Sequence, residues 1–281
     1  MKLGAILGPI KTPSDASELR VQAANLEKAG YESLWAVQAI GRGFTVTDPL
    51  ITLCVAATVT KCELGTAILQ LPLYNPMDLA HRVYSIMQLA ENDFLLGLGT
   101  GSTESDFNAF SQNYSTRFVD FEKKLTELKE IFQNNGNSEI QLNHWPVVEA
   151  GPPLLLGTWG KNVKTAASKF DGWIASAHYR TPDEILEALK QYRSENGKRA
   201  IVSTIQVSKN TDTGELREKL RRFSDAGFDD AGVMFLPGAP SIDQIRSLIK
   251  LQVSICSCFF KSKITSGSKG IFTLTSCVIG P

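Results

Sequence analysis

The amino-acid sequence predicts a single-domain closed (β/α)8 TIM barrel, and three observations predict it. Eight short apolar runs recur along the chain, each followed at once or after a loop by a stretch with helical spacing. The runs are apolar throughout rather than alternating, as parallel strands buried on both faces are. No compositional boundary interrupts the cycle, and eight such units in about 250 residues are what a closed barrel requires. An open, doubly wound sheet is the other reading of the same alternation.

The elements follow in order. LGAILG (3–8) is a first buried strand; Pro9 and a polar stretch cut it too short for a signal-peptide core. SELRVQAANLEKAG (17–30) places Leu19, Ala23, Leu26 and Ala29 at helical spacing and stops on Gly30. SLWAVQ (33–38) is the second strand. DPLITLCVAATVTK (48–61) is a helix entered by an Asp cap and a first-turn proline. ELGTAILQL (63–71) and NPMDLAHRVYSIMQLAEN (75–92) repeat that pair with Asn-Pro as the entry. DFLLGLGTGS (93–102) ends in glycines. It precedes RFVDFEKKLTELKEIFQ (117–133), whose Phe118, Phe121, Leu125, Leu128, Ile131 and Phe132 share one side.

A polar connector (134–151) leads to PPLLLG (152–157), the helix KNVKTAASKF (161–170) and the strand GWIASA (172–177). TPDEILEALKQYRSEN (181–196) opens with a capping box, Thr181 and Glu184. RAIVSTIQV (199–207), TGELREKLRRFSDAG (213–227), DAGVMFL (230–236) and APSIDQIRSLIKL (239–251) complete the cycle. The barrel is therefore assigned to residues 1–252. Residues 253–281 break the rhythm and hold three of the five Cys. They read as a C-terminal extension, disordered or foreign to the fold; a hairpin packed on the barrel is the alternative.

The 29 basic and 29 acidic residues cancel, so no electrostatic footprint points to nucleic acid or to an anionic membrane as partner. No apolar run is long enough to span a membrane, and a cytoplasmic location is expected. Cys54 and Cys62 read as small core residues. Cys256, Cys258 and Cys277 match no familiar zinc spacing, so no metal site is expected.

Active sites of such barrels lie at the C-terminal ends of the strands. The residues that finish the runs here include one histidine, His178, but no Asp, no Glu and no nucleophile beside a base. Glycines and hydroxyl residues dominate, so the hard chemistry is assigned to a bound cofactor. In LLLGTWGKNVKTAASKF (154–170) a strand hands over to a helix through two glycines. They either turn the chain or bare backbone N–H groups as a phosphate seat. GLGTGS (97–102) is a second glycine-rich strand end, without the GxGxxG spacing of a dinucleotide fold. Trp159 and Trp173 either wall a pocket or pack, and His178 either meets substrate or is solvated. Arg42, in the loop after the second strand, meets an anionic substrate or water. His81 sits within a helix and faces outward or packs against the barrel.

The stretch 48–102 resembles the luciferase-like flavin-dependent oxidoreductases. A DP helix, an LGT strand, an NP helix and a GLGTG strand end follow one another in that family's order. KAGYESLW (28–35) and GTWG with AASKFDGW (157–173) are similar to further segments of it, and the likeness runs over residues 1–250 or so. The resemblance implies a barrel that binds FMN, or the deazaflavin coenzyme F420, at its C-terminal face. Carried over, the phosphate falls to Gly157, Thr158, Trp159 and Gly160, with Thr100 and Gly101 near the ring or ribityl chain. A non-proline cis peptide behind the ring falls near Ala67 and Ile68.

The sequence departs from the pattern in two places. The second strand finishes in VQA (37–39) where many members have an acidic residue and a His. Ser102 stands where sugar-phosphate members have a Glu. Neither Gln38 nor Ser102 is a general base at an ordinary pKa; Gln38 and His178 are the residues left for a catalytic role. The expected activity is oxygenation of a small organic substrate with reduced FMN and oxygen. F420-dependent hydride transfer, or flavin binding without turnover, are the rivals. A phosphate-sugar isomerase or aldolase barrel needs a strand-end Lys or Glu that is not found. The resemblance also implies a homodimer and a flavin reductase as the source of reduced flavin.

Overall fold

Among the described residues, nine strand segments, every one parallel to its neighbours, close into a ring. They are Lys2–Ile6 (β1), Ser33–Ala36 (β2), Glu63–Thr66 (β3), Leu69–Gln70 (β4), Phe94–Gly99 (β5), Leu154–Gly157 (β6), Gly172–Ser176 (β7), Arg199–Val207 (β8) and Asp230–Phe235 (β9). The computed structural model describes residues 1–8, 15–41, 46–142 and 150–249. The ladder runs β3-β2-β1-β9-β8-β7-β6-β5-β4, and β3 also pairs with β5, which closes the sheet. β3 and β4 are one stave broken at Ala67–Ile68, so the ring has eight staves, as the sequence predicts.

The break has a clear geometry. Gly65 lies opposite Leu95 and Leu69 opposite Leu98, so four steps along this stave span three on its neighbour. The peptide bond between Ala67 and Ile68 is cis, where the resemblance places one. A second irregularity lies in β8, where the register shifts between Val202 and Ile205 and Thr204 takes a φ of 58°. A β-branched residue with positive φ is rare, and the bulge turns this part of β8 toward the barrel mouth.

Helices alternate with the staves: Asp15–Lys28 (α1), Pro49–Ala57 (α2), Pro76–Leu89 (α3), Glu104–Asn108 (α4), Arg117–Asn134 (α5), Val163–Lys169 (α6), Pro182–Ser194 (α7), Thr213–Ala226 (α8) and 242–249 (α9). The entries work as read from sequence. The Asp48 and Asn75 side chains accept the N–H groups of their first turns, and Thr181 with Glu184 forms the capping box. α4 is a helix the apolar pattern did not announce, because it is only five residues long. The assigned tail 253–281, Arg42 and the connector residues 143–149 lie outside the described residues.

The core has two shells. Most buried residues fill the layer between barrel and helices, while Ile6, Trp35, Ala67, Leu95, Leu155, Ile174 and Ile201 fill the barrel's interior. Trp35, 1% exposed, is the largest of these. Its indole donates to Ser33 Oγ at 2.9 Å, and a Cβ on Gly65 would lie 2.3 Å from its ring. At the N-terminal end, Arg199 pairs through two N–H groups with Asp230 and through two with Glu63. This cluster joins the starts of β8, β9 and β3. Cys62 is buried, but Cys54 is exposed on α2, so only one of the two is a core residue. His81 is exposed on α3. Among the described residues no helix is long and apolar enough to cross a membrane, and no His, Cys, Asp and Glu cluster could hold a metal ion.

Candidate active site at the barrel mouth

A cavity of about 1320 Å³ opens at the C-terminal ends of the strands, and all eight staves contribute to its wall. Of the residues singled out from sequence, Gln38, Ala67, Ile68, Thr100, Gly101, Gly157, Thr158, Trp159 and His178 line it. Gly160 does not. It lines a shallower depression of about 880 Å³, between Trp159 and α7.

The glycines of the rim have individual reasons. A Cβ on Gly157 would lie 2.6 Å from Ile68 Cγ2, and one on Gly99 would lie 2.8 Å from Ile68 Cδ1. Both therefore make room for the side chain that follows the cis bond. Gly101 has φ +80° and would carry a Cβ only 2.4 Å from Gln70 Oε1. Gly160 has φ +62° with open space beside it, so it turns the chain rather than admitting a neighbour. The helical turn 160–162 and α6 after it have no side-chain cap, unlike α2, α3, α7 and α8. Its first amides therefore have no side-chain acceptor. Trp173 fixes the preceding turn by donating to the Thr158 carbonyl at 3.0 Å. It is fully buried against Tyr192 and Phe228, so Trp173 packs while Trp159 faces the cavity.

Under the mouth lies a polar network of which sequence reasoning singled out Gln38 alone. The Gln70 N–H donates to Gln38 Oε1 at 2.8 Å, and Gln38 Nε2 donates to the Tyr74 hydroxyl at 2.9 Å. Burial pushes the Tyr74 hydroxyl above its ordinary pKa, so it stays protonated. Gln70 Nε2 donates to Asp106 Oδ2 at 2.8 Å, and Asp106 Oδ1 accepts the N–H groups of Ile40 and Gly41. Asp106, on α4, is fully buried, and Gln70 is 2% exposed. Gln70 Oε1 has no hydrogen-bond partner among the described residues. Besides Gln38, the sequence signal for this network is a polar residue inside the apolar run AILQLPL (67–73).

His178 is exposed, and its Nδ1 lies 2.9 Å from Gln206 Nε2. The pair puts a side-chain amide against one ring nitrogen and leaves Nε2 without a protein partner among the described residues. Two arginines also reach the wall. Arg117 lies 3.8 Å over the Tyr114 ring, and Arg180 lies 4.9 Å over Trp159. Phe118, grouped from sequence with the buried face of its helix, is half exposed and lines the mouth instead.

The family profile described as luciferase-like monooxygenase matches residues 3–246. Among curated proteins, the 4-hydroxyprotoasukamycin monooxygenase of Streptomyces nodosus subsp. asukaensis is 30% identical over 115 residues. That match covers 38% of this chain and 31% of the relative, so the chain matches about a third of its length. Among solved structures, the monooxygenase RslO1 of Streptomyces bottropensis has a TM-score of 0.72 at 14% identity, covering 92% of this chain and all of that one. The coenzyme F420-dependent tetrahydromethanopterin reductase of Methanopyrus kandleri has a TM-score of 0.68 at 12% identity, covering 88% and 96%. The oxygenating constituent of 3,6-diketocamphane monooxygenase from Pseudomonas putida, solved with FMN, has a TM-score of 0.61 at 14% identity, covering 78% and 70%. At these identities the structures speak for the fold alone. The profile, by contrast, spans the barrel from its first strand into its last helix, and the chain belongs to the luciferase-like monooxygenase family.

Proposed function

We propose that this chain is a flavin-dependent monooxygenase that oxygenates a small organic substrate with reduced FMN and oxygen. The observation that carries the reading is the wide mouth cavity, whose wall offers backbone, hydroxyl and apolar groups. Glu18 is its only carboxylate among the described lining residues. Such a wall suits a site whose redox chemistry comes from a coenzyme.

The residues present fit that coenzyme. Gln70 supplies a buried acceptor without a partner, and Gly101 leaves bare backbone where a Cβ would crowd it. The turn 160–162 offers uncapped amides beside Arg180 and Trp159. In this reading Gly157, Thr158, Trp159 and Gly160 hold the phosphate. Thr100 and Gly101 adjoin the ring or ribityl chain, and Ala67 and Ile68 back the ring. Bound there, reduced flavin supplies the electrons that activate oxygen. His178, at the cavity wall beside Gln206, is the side chain placed to hydrogen-bond the substrate. Gln38 acts through Gln70 and Tyr74 as a positioning residue, since both ends of its amide are engaged. Trp159, Phe118 and Tyr179 present apolar surface that keeps water from the reacting groups.

F420-dependent hydride transfer is the second reading, favoured by the likeness to the Methanopyrus kandleri reductase. A flavin-binding protein without turnover is the third, favoured by the missing acid–base pair at Gln38 and Ser102. A homodimer supplied by a separate flavin reductase completes the proposal on family grounds. The test is the absorbance spectrum and mass of whatever co-purifies, followed by oxygen uptake with reduced FMN over a substrate panel. Substrate-dependent uptake is expected. Tight FMN binding with no uptake on any substrate favours the third reading, and a single F420 visible band favours the second.

A further inference from the structure

We infer that Gln70 reads the pyrimidine edge of the coenzyme, its Oε1 accepting the imide N–H of the pyrimidinedione ring that flavins and deazaflavins share. The inference rests on the coenzyme reading above and adds to it a residue and an atom.

Four observations converge on this side chain. Its orientation is fixed, because Nε2 donates to Asp106 Oδ2 at 2.8 Å and a flipped amide would set oxygen against carboxylate. The carboxylate is fixed in turn by the N–H groups of Ile40 and Gly41 at 3.2 and 2.8 Å. The backbone is fixed, because Gln38 Oε1 takes the Gln70 N–H. With everything else engaged, Oε1 is buried and without a partner.

A buried carbonyl oxygen left in that state is costly, and native structures explain such groups by a ligand or a role. This oxygen lies against Gly101, where a Cβ would come within 2.4 Å, and both residues belong to the wall of the mouth cavity. The donation to a carboxylate polarises the amide and makes its oxygen a stronger acceptor. An acceptor of that kind selects a neutral N–H. The pyrimidinedione ring carries one such imide group in both coenzymes, flanked by two carbonyls, and methylation at N3 replaces its donor hydrogen with a methyl group.

The test compares FMN with N3-methyl-FMN, by quenching of flavin fluorescence, on the full chain and on Gln70→Met. In the unmodified protein, methylation is expected to raise the dissociation constant about tenfold or more. In Gln70→Met the two flavins should bind alike. The first comparison needs no variant to fold. Equal binding of both flavins by the unmodified protein overturns the inference and leaves the coenzyme reading standing, the oxygen then being met by water or a ribityl hydroxyl. F420 is titrated alongside to identify which coenzyme supplies the ring. Failure of both FMN and F420 to bind overturns the coenzyme reading, and this inference with it.

Discussion

Ile68 and the two glycines it touches show how one side chain can dictate its neighbours across the barrel. Gly99 and Gly157 end adjacent staves, and Ile68 occupies the space that a side chain on either would need. Gly157→Val is expected to destabilise the fold by about 1–3 kcal/mol through overpacking, visible as a lower midpoint in urea. Gly160→Asp is expected to behave in the opposite way. Nothing lies within 4 Å of a side chain there, and Asp is among the residues that visit a φ of +62°, at a cost of about 1–2 kcal/mol. The barrel should therefore keep its structure by circular dichroism, with only a small loss of stability. The added negative charge at the uncapped turn should instead abolish retention of a phosphate-bearing cofactor. Unchanged FMN affinity in Gly160→Asp would remove the phosphate seat from the proposed function. Both glycines stood out in the sequence as strand-end residues. Their separate duties did not, because the contact with Ile68 joins positions 89 residues apart, from 68 to 157.

At the scale of elements, the main helices and strands were legible because each carries its own signal. Asp48-Pro49, Asn75-Pro76 and the Thr181 box mark helix starts through chemistry confined to a few neighbouring residues. α4 carries no such signal. Five residues cannot show a helical period, and of its two buried side chains, Asp106 and Phe107, the carboxylate holds the chain after β2 and the end of β4 together. Asp106→Ala is expected to cost about 3 kcal/mol, since several hydrogen bonds to one buried carboxylate are lost together. It should also free the Gln70 amide to rotate, so that discrimination between FMN and its N3-methyl form falls toward unity. Wild-type discrimination in Asp106→Ala would show that Gln70 is oriented by other contacts.

At the scale of the whole molecule, the barrel is held at its lower end by a charged cluster. Arg199, Asp230 and Glu63 come from three staves that are far apart in sequence. Removing the cation leaves two carboxylates together, one of them 1% exposed. Arg199→Met is therefore expected to cost about 3–5 kcal/mol, measured by urea denaturation. A loss below about 1 kcal/mol would mean that solvent reaches the cluster and screens it. The eight-stave count was readable because the apolar runs are counted along the chain. The cluster was not, because a lone Arg at the start of RAIVSTIQV gives no hint of partners at positions 63 and 230.

The same cluster at the lower end, and the side chains that fill the interior with Trp35 the largest among them, make the cylinder a cup rather than a pipe. Whatever enters by the rim must also leave by it. A molecule held deepest in the cup has to arrive before anything that sits over it and can depart only afterwards, so traffic through the protein is first in, last out.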